Sequence, residues 1–507
     1  MHHKKIVDVQ TLAARVAEAR KAGQVVVHCH GVFDLLHIGH IRYLEQAKRM
    51  GDLLVVTITP DQYVDKGPHR PAFPQDLRAE SIASLGCVDY AAINEWPTAE
   101  ETLRLVRPDI YVKGSEFKDT SSDMTGKIGR EEKVIREIGA RLAFTEDIVF
   151  SSSNLINTHL SVFPQEVKEY LNLFKARFTL DQVLQAVDSL ADLKVMVIGD
   201  AIIDSYVYCE AIGKSSKDPV LALRYLSEDV FAGGILAVAN HVANFAARVD
   251  LFTVLGSENS HRDFIASSLA ENVKPNFFMH EGAPTILKKR FLEGYSLTKM
   301  LEVYYMDQAG LPKTTEEELL AALRGKVKDY DVVVVADYGH GMMTKAIRRL
   351  LCDEARFLAV NTQANAGNRG FNTIAKYHKV DYGCIAEHEM RLEMRDAEGE
   401  IRPMIEHLAP RMNSRVFVVT RGKKGALIWD SKENFVIVPA FAMKVVDRVG
   451  AGDAFLSITA LAAAKGVAPE VLGFIGNIAG AEAVEVIGNK KSISKLKVKK
   501  TIVSMLK

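Results

Sequence analysis

Cysteine is scarce in this chain, with five in 507 residues. Cys29, Cys87, Cys209, Cys352 and Cys384 lie far apart, and no two are spaced as CxxC. That pattern suits neither a disulfide framework nor a zinc site, and it fits a reducing cytosol. An excess of charge of one sign is also missing. Lys+Arg and Asp+Glu both number 64, so the formal net charge is zero. A global basic field for nucleic acid is thereby excluded, although a local basic pocket is not. No apolar run reaches the roughly 18 residues that a membrane helix needs. The longest candidate, around Ala454–Ala464, is interrupted by Ser457 and Thr459 and stopped by Lys465. The first residues, MHHKKIVDVQ, lack the apolar stretch of a signal peptide, so a cytoplasmic protein without membrane or nucleic-acid partners is expected. There is no internal repeat and no low-complexity tract. What is present is an ordinary globular composition, 48% hydrophobic and 25% charged. The length exceeds one ordinary core, so two or more domains are expected.

The apolar runs predict α/β organisation. Residues 24–30, 53–58, 88–93, 109–112 and 141–144 read as short strands. Helices over about His40–Met50 and Glu131–Ile138 alternate with them, which predicts βαβ units and a parallel sheet. Val167, Tyr170, Leu171 and Phe174 then recur at helical spacing, and Thr179 is placed to cap a second helix from Asp181 to Leu193. The expected division is therefore a first domain over 1–162, a helical linker over 163–191 and a second domain over 192–507. The second domain opens on a strand at 194–199 and continues with strands at 332–336, 357–360 and 416–419, then an alanine-rich helix from Ala451. Alternating segments at 219–226 and 286–292 predict a small antiparallel sheet, a lid that could pair between subunits of a homodimer. The basic tail from Lys490 reads as a solvated final strand or helix.

Two local patterns carry chemistry. His37-Ile38-Gly39-His40 follows a buried strand and the turn Gly31-Val32-Phe33-Asp34, at the start of a helix. Free N–H groups and the macrodipole at a helix N-terminus favour phosphate, and two imidazoles there can donate to a phosphoryl group as charge builds on it. Gly39 lets the backbone approach a ligand closely. No side chain nearby is an obvious nucleophile, so the fitting reaction is attack of a substrate phosphate on a nucleotide α-phosphate. The second pattern is Gly450-Ala451-Gly452-Asp453 at the start of the alanine-rich helix. Its small residues expose successive N–H groups to an anion, and Asp453 is placed to take a proton from an attacking hydroxyl. Phosphoryl transfer needs such positioned donors, a metal and a base.

The surrounding residues extend both readings. The stretches GVFDLLHIGHIRYLEQAKRMGD (31–52), KGPHRP (66–71), FPQDLRAESIASLGCVDY (73–90), RPDIYVKGSEF (107–117) and SSSNLIN (151–157) resemble the cytidylyltransferase-type nucleotidyltransferases. The resemblance is greater to the nucleotidyltransferase half of the ADP-heptose synthase family. It implies a Rossmann-like HxGH domain and magnesium-assisted transfer of NMP from ATP, or alternatively CTP, to a sugar or polyol phosphate. His37 and His40 would stabilise the α-phosphate, with Phe33 and Gly39 beside the nucleotide. Lys66 and Arg78 would neutralise phosphates, and Lys113 with Gly114 would sit at a strand end next to the nucleotide. Ser152 and Ser153 would donate to the leaving pyrophosphate. Asp34 reads equally as a substrate contact or a turn residue, and residues 118–130 as a lid or a loop insertion.

VMVIGDAIIDSY (195–206), FAGGILAVANHVANF (231–245), VVVVADYGHGMM (332–343), VVTRGKKGALI (418–428) and VDRVGAGDAF (446–455) follow the order of the ribokinase-like, PfkB-type sugar kinases. This resemblance implies ATP-dependent phosphorylation of a sugar hydroxyl. Asp453 would be the base, with Gly450, Ala451 and Gly452 as anion hole. Asp200, Asp204, Gly233 and Gly234 would hold sugar hydroxyls; Thr420, Gly422 and Gly425 would line the nucleotide; Glu389 would serve the metal. Three positions depart from the pattern: Ala237 and Ala386 stand where asparagines are usual, and Arg448 where threonine is common. The domain order is reversed relative to the fusion in which the kinase comes first. Together the resemblances imply a bifunctional enzyme of sugar-nucleotide synthesis acting on sugar phosphates and NTPs. The alternative is a nucleotidyltransferase whose kinase-like domain only binds ligand.

Overall fold

The structure is a computed structural model. It describes residues 2–64, 70–114, 127–145, 163–432 and 434–506. Lys66, Ser152, Ser153 and residues 118–126 of the expected loop lie outside the described residues. The chain divides into two compact units, 1–162 with 503–507, and 163–502.

In the first unit, β1 (Val26–Gly31), β2 (Leu53–Ile58), β3 (Tyr90–Ile93), β4 (Ile110–Lys113) and β5 (Arg141–Phe144) form one parallel sheet in the order β3-β2-β1-β4-β5. Their near-continuous apolar sequences match a sheet covered on both faces. The order reverses between β1 and β4. Crevices for ligands open at such switch points, outside the carboxyl ends of the strands. Cys29 pairs with Val112, which sets the ends of β1 and β4 side by side.

The second unit is built on a nine-stranded sheet. From β10 (Val273–Pro284) the order runs through β9 (Arg248–Glu258), β6 (Lys194–Gly199), β13 (Val332–Asp337), β14 (Leu358–Thr362), β15 (Tyr382–Ala386) and β16 (Val416–Thr420), all parallel. It closes with β17 (Ala426–Asp430) and β18 (Phe435–Val438), both antiparallel. A separate four-stranded sheet has the order β12-β11-β7-β8, from Lys299–Tyr305, Ile286–Glu293, Ala201–Lys214 and Leu221–Gly234.

This lid corrects the expectation of a purely antiparallel sheet, because β11 pairs parallel to β7. The cause lies in the connections. Only Asp200 separates β6 from β7, and only Thr285 separates β10 from β11. Two parallel strands of the main sheet therefore leave it in the same direction, and their continuations stay parallel. Among the described residues no helix is long and apolar enough to cross a membrane.

The helix Gln165–Arg177 lies where the sequence places it, while the second, Leu180–Asp188, ends earlier than expected and continues as a 3-10 turn over Ser189–Asp192. Thr179 caps the second: its Oγ1 accepts from the Gln182 N–H, and the Gln182 side chain accepts from the Thr179 N–H at 2.9 Å. Phe174 stacks on Phe474 with ring centroids 4.5 Å apart, so these helices are part of the second unit. The final helix, Lys495–Leu506, is not merely solvated, since Val498, Ile502 and Met505 are buried.

Candidate active sites

The first candidate site stands at the switch point. His37 is the N-cap of the helix Ile38–Lys48, and its Nδ1 accepts from the Gly39 N–H at 3.1 Å. With Nδ1 accepting, a neutral His37 carries its proton on Nε2 and presents a donor. Burial lowers its pKa, which favours that neutral form. The His40 ring lies 4.0 Å from the His37 ring, centroid to centroid, and meets the edge of Phe33. Phe33 takes a left-handed backbone, φ 47°. A Cβ at Gly31 would come within 3.1 Å of its ring, so the glycine clears space for it. Lys113, at the end of β4, is held 2.8 Å from Glu131 and lies over the Tyr111 ring. Gly114 follows it directly.

Arg78 differs from expectation. Its side chain is 1% exposed. It donates to the carbonyls of Phe73, Val32 and Thr59 and to Asp61. A guanidinium spent on four protein acceptors ties together the turns after β1 and β2, and it is not free to meet a triphosphate. Asp34 likewise accepts from the N–H groups of Ala72 and Phe73 and from Arg70, which makes it a turn anchor. Replacing Arg78 by methionine is expected to cost about 3–5 kcal/mol of stability, because it strands buried acceptors. Denaturant unfolding of the full chain checks this. An unchanged midpoint with a raised nucleotide KM would restore the phosphate role.

The second candidate site is a cavity of about 570 Å³. Thr420 and Gly422 form part of its wall, and Gly450 and Gly452 lie at the start of the helix Ala451–Ala464. Ala451 opens that helix between them. Asp453 also faces the cavity and accepts from the Tyr338 hydroxyl at 2.8 Å. Burial, with Asp204 and Glu389 adding repulsion, raises its pKa to about 7. Gly450 adopts φ 84°, and a Cβ there would come within 2.4 Å of Asn489 Oδ1. Asp204 lies against the chain at Gly233, where a Cβ would meet its Oδ2 at 2.0 Å. It is ion-paired with Arg290. Gly234, φ 56°, starts the next helix at the cavity edge.

Two expected contacts are placed differently, and a third is shared with backbone amides. Asp200 is absent from this cavity wall. Its carboxylate accepts from the N–H groups of Tyr338 and Met342, at 3.2 and 3.4 Å, and so anchors the turn after β13. Gly425, φ 77°, serves strand packing, since a Cβ there would lie 2.0 Å from the Val438 carbonyl oxygen. Glu389 faces the cavity, but its two oxygens accept from the N–H groups of Ala386 and Ala364. Burial raises its pKa to about 7. Among the described residues no three His, Cys, Asp or Glu side chains form a metal cage. Magnesium commonly needs only one or two carboxylates besides substrate phosphates, and Glu389, with lone pairs to spare, fits that limited role.

Lys288 is among the cavity residues, with Arg290, Tyr338 and Asn489, that escaped the sequence reading. Lys288 is 4% exposed and its side chain stands over the Tyr304 ring. Burial lowers its pKa, opposed by the nearby Asp204. The signal was available: in ILKKRFL, strand alternation puts Lys288 and Arg290 on one face.

Comparison with known proteins identifies the families to which the two parts of the chain are similar. Residues 192–496 match the family model of pfkB family carbohydrate kinases, and residues 28–158 match that of cytidylyltransferase-like domains. Bifunctional protein HldE of Campylobacter jejuni subsp. jejuni serotype O:2 is 27% identical over 300 residues, 58% of this chain and 62% of that protein. The chain thus spans 62% of the length of that relative. Bifunctional protein HldE of Syntrophotalea carbinolica is 37% identical over 150 residues, 29% of each chain. A mutant of phosphofructokinase-2 from Escherichia coli superposes with a TM-score of 0.51 at 17% identity, covering 62% of this chain and all of that one. That likeness shows the fold. With its matching model spanning more than half of the residues, the chain belongs to the pfkB family of carbohydrate kinases, preceded by a cytidylyltransferase-like domain.

Proposed function

We propose that the chain is a bifunctional, cytoplasmic transferase of sugar-nucleotide synthesis, acting on a heptose-like sugar. The second unit phosphorylates a hydroxyl of a sugar or sugar phosphate with ATP. The observation that carries this is Asp453, a carboxylate with a pKa of about 7, facing Lys288 across one cavity at a helix start. Asp453 takes the proton of the attacking hydroxyl. The N–H groups from Gly450 to Gly452 hold the charge developing on the phosphoryl oxygens, and Lys288 neutralises it from the lid side. Asp204 accepts from sugar hydroxyls. Glu389 would be the residue that holds magnesium, which would supply further charge neutralisation.

The first unit transfers a nucleotidyl group from ATP or CTP to a sugar 1-phosphate. A phosphate oxygen of the sugar attacks the α-phosphorus, and the bond to the β-phosphate breaks to release pyrophosphate. His37 and His40 donate to the α-phosphate oxygens at the switch point, and Lys113 adds charge from the end of β4. Lys66, Ser152 and Ser153 belong to the same reading. We further read the outer lid face, with Tyr225, Leu226, Leu301 and Tyr305 exposed, as the contact of a homodimer. Sedimentation of the Tyr225→Lys variant as a monomer, with wild type as a dimer, is the expected outcome; equal sedimentation would overturn it.

A second reading, a ligand-binding kinase-like unit without turnover, is favoured by Glu389 being bonded to two backbone amides beside Ala386. Incubation with a panel of sugar phosphates and the four NTPs, following ADP and pyrophosphate separately, decides between them. Both products are expected. Pyrophosphate alone, with ATP binding to the second unit still measurable, would favour the second reading.

A further inference from the structure

Two segments far apart in the chain meet at the kinase cavity. Tyr338 follows β13 directly, and Asp453 stands in the first turn of the helix Ala451–Ala464. The Tyr338 hydroxyl donates to Asp453 Oδ1 at 2.8 Å, and both residues line the cavity. Among the described residues no other side chain donates to that carboxylate, so Oδ2 is left for a ligand. Tyr338 is buried. A buried phenol bonded to an active carboxylate can do one of two things. It can satisfy its own O–H, or it can fix which carboxylate oxygen meets the substrate.

The backbone of Tyr338 favours the second. Its N–H donates to Asp200 at 3.2 Å. Its carbonyl accepts from the Nδ2 groups of Asn365 and Asn368, at 2.8 and 2.9 Å. Those asparagines are locked in turn. Asn365 Oδ1 accepts from the N–H groups of Gly367 and Asn368, at 3.0 and 3.2 Å. Asn368 Oδ1 accepts from the N–H groups of Asn365 and Gly370, and its Nδ2 donates to the Gln363 carbonyl at 2.7 Å. The same loop after β14 reaches the second carboxylate of the cavity, since the Ala364 N–H donates to Glu389 Oε1 at 2.9 Å. A hydroxyl that only needs an acceptor has no use for such a clamp. One that must hold a reacting carboxylate to within about 0.5 Å does. Resting on the kinase reading above, we infer that Tyr338, clamped by Asn365 and Asn368, is the positioning residue of the base: it occupies Asp453 Oδ1 and so presents Oδ2 to the attacking hydroxyl. The sugar O–H proton passes to Oδ2, and the sugar oxygen forms its bond to the γ-phosphorus. The bond from that phosphorus to the β–γ bridging oxygen breaks and leaves ADP. Burial raises the Asp453 pKa, and the Tyr338 hydrogen bond opposes it; Asp204, Lys288 and Glu389 are the other charged groups that act on this carboxyl.

Steady-state ADP release by the full chain tests this, with magnesium, ATP and a panel of five-, six- and seven-carbon sugar phosphates, kinetics being taken on the best acceptor. Tyr338→Phe is expected to lower kcat about 10–100-fold. The KM values of ATP and acceptor should stay near wild type, and the rise of kcat/KM with pH should move to higher pH. In the Asp453→Asn background the same change is expected to cause no further loss, because no base remains to position. A tyrosine that only packs would give additive losses and an unmoved pH profile. Asn365→Ala, outside the cavity wall, loosens the carbonyl end of the clamp and is expected to lower kcat about 2–10-fold with the same split. It carries the test where thermal melting shows Tyr338→Phe unfolded. An unchanged kcat in either folded variant, a loss carried by KM, or additivity with Asp453→Asn would each overturn the inference alone. Wild type without turnover on any acceptor would overturn the kinase reading, and the inference with it.

Discussion

Asparagine in place of Asp453 is expected to lower ATP-dependent sugar phosphorylation by about 10²–10⁴-fold while ATP still binds. The amide can accept the Tyr338 hydroxyl as the carboxylate does, but it cannot take a proton from the sugar. The wild-type pH profile should carry the same signature. Burial holds the Asp453 carboxyl at about 7. The base works only when ionised, so kcat/KM should rise with pH through about 7 and level off above it.

Stability should move the other way. A carboxyl whose pKa is raised on folding favours the folded state most when protonated. That contribution is complete below its ordinary value of 3.8 and is lost as pH rises through about 7. Above that window wild type holds a desolvated charge that the asparagine variant lacks. The variant should therefore melt at the same temperature as wild type or higher at alkaline pH. A variant that retains turnover with wild-type pH dependence would remove Asp453 from the chemistry. One that loses turnover by unfolding would show a lowered Tm instead.

The five strands of the first sheet and four of the nine in the main sheet of the second unit were legible because buried apolar runs such as LLVVTI and KVMVIG have few other uses in a chain of this composition, whereas β9, β10, β15, β17 and β18 were not named. The Thr179 cap was legible because threonine, a favoured N-cap residue, stands directly ahead of a run at helical spacing. What was not legible depends on where side chains turn in three dimensions. Arg78 stands in a helix whose sequence, QDLRAES, reads as ordinary surface. Only the fold shows that it points inward to Val32, Thr59 and Asp61. Asp200 and Asp204 are alike in the sequence, yet the one at the strand junction anchors the turn at Tyr338 and the other reaches the cavity. The parallel pairing of β7 with β11 was hidden because it follows from two single-residue junctions far apart in the chain. Gly425 sits in a glycine-rich stretch that suggests a ligand, while the close neighbour is the backbone of β18.

Alanine in place of His40 is expected to lower pyrophosphate release by about 10²–10³-fold and to leave sugar phosphorylation at its wild-type rate. The loss follows from the chemistry of a loose phosphoryl centre, which offers the protein little to do besides placing donors where charge develops. His37 is fixed as an Nε2 donor by the Gly39 N–H, and the His40 ring is held 4.0 Å from it with Phe33 at its side. Removing one ring deletes a donor and also the face against which the other is packed. The transition-state loss should therefore appear mainly in kcat. The kinase rate should be unaffected, because Asp453 and Lys288 belong to the other compact unit. Assay of both products on one preparation, with circular dichroism to confirm folding, is the measurement. Loss of both activities in a folded protein would mean that the two units do not work independently.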